Sequence, residues 1–222
     1  MPADTLVAPA GGRVQALLLG LLFVALHASA LDWGVPSFTG WAPDELLPGD
    51  VVHGLEAGFA GSWYERYPPL HYYLLALVDL PILWAWGVPA RNPLPEGVHT
   101  QMFLAGRLVS LLMGAGTAAL VSLCGTRLYG RAAGALAALL FMGMPTLAFH
   151  TRLATLDVPY VFWWALSLLF GLRALEQPRW RDLLGFALAA ALAVTTKDQA
   201  YALYVLAWPA WLWLLRSPAS GV

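Results

Sequence analysis

Charge is scarce in this chain. Only 11% of its 222 residues are Asp, Glu, Lys or Arg, against about 25% in ordinary soluble domains. Neither sign prevails: 12 basic and 13 acidic residues leave a formal net charge of −1, so no basic footprint marks a nucleic-acid partner. Cysteine is almost absent. Cys124 stands alone inside an apolar run, which excludes an intrachain disulfide and leaves the compartment open. Internal repeats, low-complexity tracts and long polar linkers are lacking as well. What fills the chain instead is apolar: 59% of residues are hydrophobic and 13% aromatic, in repeated long runs. That pattern is the signature of an integral membrane protein.

The first run, residues 14–31 (VQALLLGLLFVALHASAL), approaches the ~20 residues that a membrane span needs. Ala28-Ser29-Ala30 also resembles a small-residue cleavage site behind a signal peptide, so a retained helix and a cleaved leader both fit. In either case the positive-inside rule keeps Arg13 inside and puts Asp32 onward outside. Further helices are expected over residues 103–124, 132–149, 158–175, 183–196 and 200–215. Arginines gather in alternate loops: Arg127 and Arg131, then Arg173, Arg179 and Arg181, then Arg216. All become cytoplasmic together if the 103–124 helix enters from outside. The loops at 150–159 (HTRLATLDVP) and 196–199 (TKDQ) then face out.

This arrangement requires residues 32–101 to cross the membrane an even number of times. Yet residues 70–88 (LHYYLLALVDLPILWAWGV) are apolar enough for one span, with Asp79 and Pro81 in the middle. A proline there removes a backbone hydrogen bond and kinks a helix. The stretch therefore reads as an interfacial or re-entrant pair of short helices, with Tyr72, Tyr73, Trp84 and Trp86 at headgroup level. One ordinary span is the simpler alternative. The Gly/Pro-rich residues 87–97 form a loop by their turn chemistry. The Trp-rich tail 208–215 (WPAWLWLL) is expected to meet lipid or neighbouring helices. The predicted fold is an all-α polytopic membrane module over residues 1–222. It has a first helix at 14–31, an outer loop with interfacial helices at 32–101 and a five-helix bundle at 102–216.

The topology gathers several ionisable residues on one face: Asp44 and Glu45, the segment ERYPPLH (65–71), Asp157, and Lys197. Such residues near membrane depth tend to be paired or functional. Taken singly, Asp157 and Lys197 read as solvated charges at helix ends; together the set suits glycosyl or phosphoryl transfer. Asp44 could take a proton from an acceptor hydroxyl as general base. Lys197, Arg66 and Arg152 could neutralise a phosphate leaving group, arginine through bidentate contacts and lysine as a point charge. His71 could ligate or hydrogen-bond, although a histidine among interfacial tyrosines is more often an ordinary polar contact. A divalent cation between carboxylate and phosphate oxygens would fit the same chemistry, but no ligand spacing calls for one.

In order along the chain stand the acidic pair, YPPLHYYLLAL, the RLYGR turn, the RLATLD loop and TTKDQ. In that order the sequence resembles the N-terminal half of the GT-C membrane glycosyltransferases. More narrowly, it resembles the superfamily of protein O-mannosyltransferases and lipid A aminoarabinose transferases, from about residue 14 to about 210. The resemblance implies a sugar donor carried on a polyprenyl phosphate, an acceptor protein, lipid or glycan, and inverting displacement at the anomeric carbon. It implies that the reaction takes place at the outer or periplasmic face of the cell membrane. It makes Asp44 the first-loop catalytic acid with Glu45 beside it, Asp157 a second active-site acid, and Lys197 a basic residue of the outer loop facing the carrier phosphate. Tyr67 stands where some relatives carry a lysine before the two prolines, which weakens a phosphate contact there. Members of the superfamily are usually much longer, so the chain reads as truncated relative to them.

Two other readings fit the composition. Eleven tryptophans and abundant Gly and Ala suit helix packing in a non-catalytic subunit of a larger membrane complex; Asp44 and Glu45 would then only cap an interfacial helix. A transporter or flippase would instead line a pathway with charge, and the clustering of charge at one face speaks against it.

Overall fold

A computed structural model of the chain describes residues 10–29, 31–36, 43–60, 67–205 and 207. Among them there are helices and turns and no strand. The helices are α1 (Ala10–His27), α2 (Pro48–Glu56), α3 (Leu70–Trp86), α4 (Glu96–Tyr129), α5 (Arg131–Met142), α6 (Pro145–His150), α7 (Asp157–Glu176) and α8 (Trp180–Thr196). A 3-10 turn (Asp198–Ala200) follows.

The long axis of the molecule is α4. Its 34 residues make a rod of about 51 Å at 1.5 Å per residue, some 20 Å more than the roughly 30 Å hydrocarbon core of a bilayer. Two different partners cover its two lengths. Antiparallel α1 lies on the C-terminal part, with Phe23 against Gly114, Gly20 against Ala115 and the Gln15 amide donating to Ser122 Oγ at 3.2 Å. Antiparallel α3 lies on the N-terminal part, with Leu75 against Gly106 and Trp86 against Gly97, and the Trp86 indole N–H donates to Gln101 at 2.9 Å. Thus α3 runs past the end of α1 instead of beside it.

The remaining helices alternate in direction around this rod. Gly125 and Gly134 let the α4 and α5 backbones touch: a Cβ on Gly125 would lie 2.8 Å from Gly134 Cα. Parallel to α4 runs α7, with Phe162 at Gly116 and an Arg127–Glu176 ion pair of 2.5 Å. Antiparallel α8 returns along α7, with Phe170 at Gly185 and Arg173 paired to Asp182 at 2.8 Å. Arg127, Arg131, Arg173, Arg179 and Arg181 therefore share one end of the bundle. Residues 31–36 and 43–46 and the segments 150–157 and 197–199 share the other. Leucines of α1, α5 and α8, among them Leu17, Leu21, Leu136, Leu140, Leu184 and Leu188, stay exposed. Apolar surface of that extent marks a face that meets a partner or lipid.

Helices α4 and α7 are long and apolar enough to cross a membrane, and α1, α3 and α5 are shorter apolar helices. Two expectations change. Residues 70–86 form one continuous helix, not a pair, with Pro81 inside it; packing against α4 holds the helix through the missing N–H. Its end is set by Gly87, whose φ of 62° favours glycine. The helix expected over 132–149 is divided at Gly143–Met144, because Pro145 cannot donate to the ladder and starts a new helix at its first position. Most of the last expected span, 200–215, lies outside the described residues, although 201–205 are helical and Tyr204 Oη meets Ser167 Oγ at 2.9 Å.

The glycine contact yields a prediction. Gly134→Val should lower stability by roughly 1–3 kcal/mol through overpacking, read as a fall in thermal midpoint in detergent. Gly143→Ala, where the nearest atom to a Cβ is 3.6 Å away, should leave the midpoint unchanged.

Candidate functional site

At the end of the bundle away from the arginine-rich loops, the chain builds one fully buried ion pair. Arg107 Nε donates to Glu45 Oε1 at 3.0 Å and Nη2 to Oε2 at 3.5 Å, and neither side chain is exposed. The same guanidinium donates through Nη1 to the carbonyls of Leu31 and Trp33, each at 2.7 Å, and lies 4.5 Å from the Phe103 ring centroid. Glu45 Oε1 also accepts from the Ala154 N–H at 3.3 Å, and the Leu46 N–H donates to the Ala154 carbonyl at 2.8 Å. One pair of side chains thereby ties the segment after α1, the segment before α2, α4 and the 151–156 turn. Gly106 permits the approach, since a Cβ there would stand 3.1 Å from the Ala154 Cβ.

Asp44 precedes this lock and differs from its neighbour in every respect. It sits in a turn, is exposed, and makes no hydrogen bond or ion pair among the described residues. A carboxylate fixed by its backbone and free at its tip is what a general base requires. Behind it, the Asp50 carboxylate accepts the Leu47 N–H at 3.2 Å at the start of α2.

The second acid is paired. Asp157 opens α7, where a helix N-terminus favours negative charge, and Oδ1 accepts from Lys197 Nζ at 2.8 Å. His150 Nδ1 lies 3.8 Å from Oδ2 and 3.4 Å from Thr155 Oγ1. Lys197 Nζ stands 5.6 Å from the ring centroids of both Tyr67 and Tyr160. Burial works against its charge, but the Asp157 hydrogen bond and charge outweigh it, aided by Tyr67 and Tyr160, and raise the pKa above 10.5. A raised value means that this pair's contribution is complete below the ordinary lysine pKa and is lost only as pH climbs through the raised one. Through the neutral range the lysine stays cationic.

The structure thus joins Asp157, Lys197 and Tyr67, and ties Glu45 to the turn that leads into Asp157. Arg152 is not joined to them: it lines a cavity with Trp33, Phe149 and Leu153. His71 is fully buried in α3 and neither ring nitrogen has a hydrogen-bond partner among the described residues, so its ring is not offered to a ligand at the surface. Arg66 lies outside the described residues. Among the described residues, no group of three or more His, Cys, Asp or Glu side chains converges as a metal site would need. Arg107 is a site residue that the sequence patterns above do not single out. Its signal was available: an arginine inside an otherwise apolar run needs a partner.

Among the described residues the chain is a helical bundle with a leucine-rich exterior, an architecture that meets lipid or a partner. The chain belongs to the dolichyl-phosphate-mannose-protein mannosyltransferase family, whose model matches residues 98–220. Membership makes it an integral membrane protein of glycosyltransferase type. The match holds Arg107, Arg152, Asp157 and Lys197. It begins after Asp44, Glu45, Tyr67 and His71, so the likeness expected from residue 14 is carried by the family model only from residue 98. No curated protein and no solved structure matches the chain.

Removing half of the lock should be costly. Arg107→Met leaves Glu45 buried without a counter-charge, and breaking such a pair costs about 3–5 kcal/mol. The expected outcome is loss of the folded, monodisperse peak by fluorescence-detected size exclusion; an unaltered peak and melting temperature would show that the pair does not hold these segments.

Proposed function

We propose that the chain transfers a sugar from a polyprenyl-phosphate carrier to an acceptor hydroxyl at the outer face of the membrane. Asp44 accepts the acceptor's proton as its oxygen attacks the anomeric carbon. The bond from that carbon to the carrier phosphate breaks, its electron pair leaves with the phosphate oxygen, and the configuration inverts. Glu45 does not react in this reading: it positions Asp44 through the buried contact with Arg107. Asp157 likewise acts through Lys197, holding the ammonium charged and aimed at the end of the bundle where the phosphate's charge develops. Tyr67 walls that corner. The observation that carries the proposal is the contrast at one dipeptide, a free, exposed Asp44 beside a fully locked Glu45.

The outer-face assignment rests on the arginine-rich loops at the opposite end, which the positive-inside rule makes cytoplasmic. It also rests on α3 running past α1, so that the segment between α1 and α4 returns to the side it left. The chemistry is tested by Asp44→Asn. Loss of a general base lowers turnover about 10²–10⁴-fold, with folding intact because Asp44 has no partner to lose among the described residues. Turnover equal to the unsubstituted protein would remove Asp44 from the reaction. For sidedness, Asn92→Cys in intact cells should react with an impermeant maleimide added outside; labelling only after the cells are opened would place α3 across the membrane.

A further inference from the structure

Among the described residues, the enclosed cations have acids beside them, with one exception. Arg107, Arg127, Arg173 and Lys197 each lie within 3.0 Å of a carboxylate oxygen. Arg152 is only partly exposed and its Nε is sealed from solvent, yet that nitrogen has no hydrogen-bond partner and the residue has no ion pair among the described residues. An enclosed charge without a counter-charge is costly, and the cost falls if a ligand supplies the missing anion. Space for one is present. Arg152 opens onto a cavity of about 320 Å³ whose other walls are Trp33, Phe149 and Leu153.

The position narrows the ligand. Trp33 and Phe149 are 51% and 49% exposed, so the cavity is open at its rim and aromatic there, as side chains at a membrane interface are. Arg152 acts electrostatically on His27 at the end of α1. From that end a stripe of Leu26, Leu22 and Leu18 descends, 52%, 40% and 59% exposed. We propose that the cavity seats the phosphate of an anionic bilayer phospholipid, its oxygens taking the guanidinium donors and its acyl chains lying on the α1 stripe. Neither Asp157 nor Lys197, which are paired with each other, lines this cavity, and the proposal does not depend on the transfer reaction.

Native mass spectrometry of the full chain in detergent tests this, with added phosphatidylglycerol or phosphatidylcholine. The unsubstituted protein should retain phosphatidylglycerol in preference. Arg152→Gln should lose that preference about fivefold, the worth of one basic contact at a membrane surface. Arg152→Lys, which restores the charge, should recover it, and Arg91→Gln, an exposed loop position, should not alter it. Equal retention by the glutamine variant, or a lysine variant as weak as glutamine, overturns the proposal. Release of phosphatidylglycerol by equimolar inorganic phosphate would make this a soluble-anion site, and release by equimolar polyprenyl phosphate a carrier site; either also overturns it.

Discussion

The geometry of the candidate site depends on one buried pair of charges. Arg107 and Glu45 sit with no solvent contact, where an isolated ion would be prohibitively unstable and a paired one breaks even only if its remaining donors and acceptors are satisfied. Here they are: the guanidinium's further donors go to Leu31 and Trp33, and the carboxylate's spare capacity goes to the Ala154 amide. The pair therefore does more than offset its own desolvation. It fixes the mutual position of four segments far apart in sequence, one of which carries Asp44 and another of which leads into Asp157.

In the proposed reaction rigidity of this kind matters because the two acids have opposite tasks. There Asp44 keeps its lone pairs available, and its neighbour holds the backbone instead. Asp157 gives its lone pairs to Lys197 and in return keeps an ammonium in place near two tyrosine rings. Division of labour between adjacent carboxylates, one locked and one free, lets a loop at a membrane surface behave as part of a rigid scaffold.

Much of this was legible in the sequence, for reasons that differ by element. The ends of α7 and α8 were readable to within a few residues because their apolar runs are bounded by charge. The start of α4 was not, since its first turns (Glu96 to Gln101) are polar and stand beyond the apolar stretch. Pro81 misleads, since a proline in a helix packed along its length leaves one hydrogen bond unmade without breaking the rod. Pro145 does break its run, because Gly143 and Met144 ahead of it offer no support to a continuous helix. In the site, Asp157 and Lys197 were recognisable as charges ending adjacent runs. The partner of Glu45 stayed hidden because Arg107 lies 62 residues away inside a run that reads as plain membrane span.

In the proposed reaction the sugar carrier docks at the end of the bundle that Arg107 and Glu45 organise. The most direct measurement is a cryo-electron microscopy map of the protein with a polyprenyl-phosphate sugar bound. Density for the sugar and phosphate should stand between Asp44 and the Asp157–Lys197 pair. Density at the opposite end, among Arg127, Arg173 and Arg181, would contradict it.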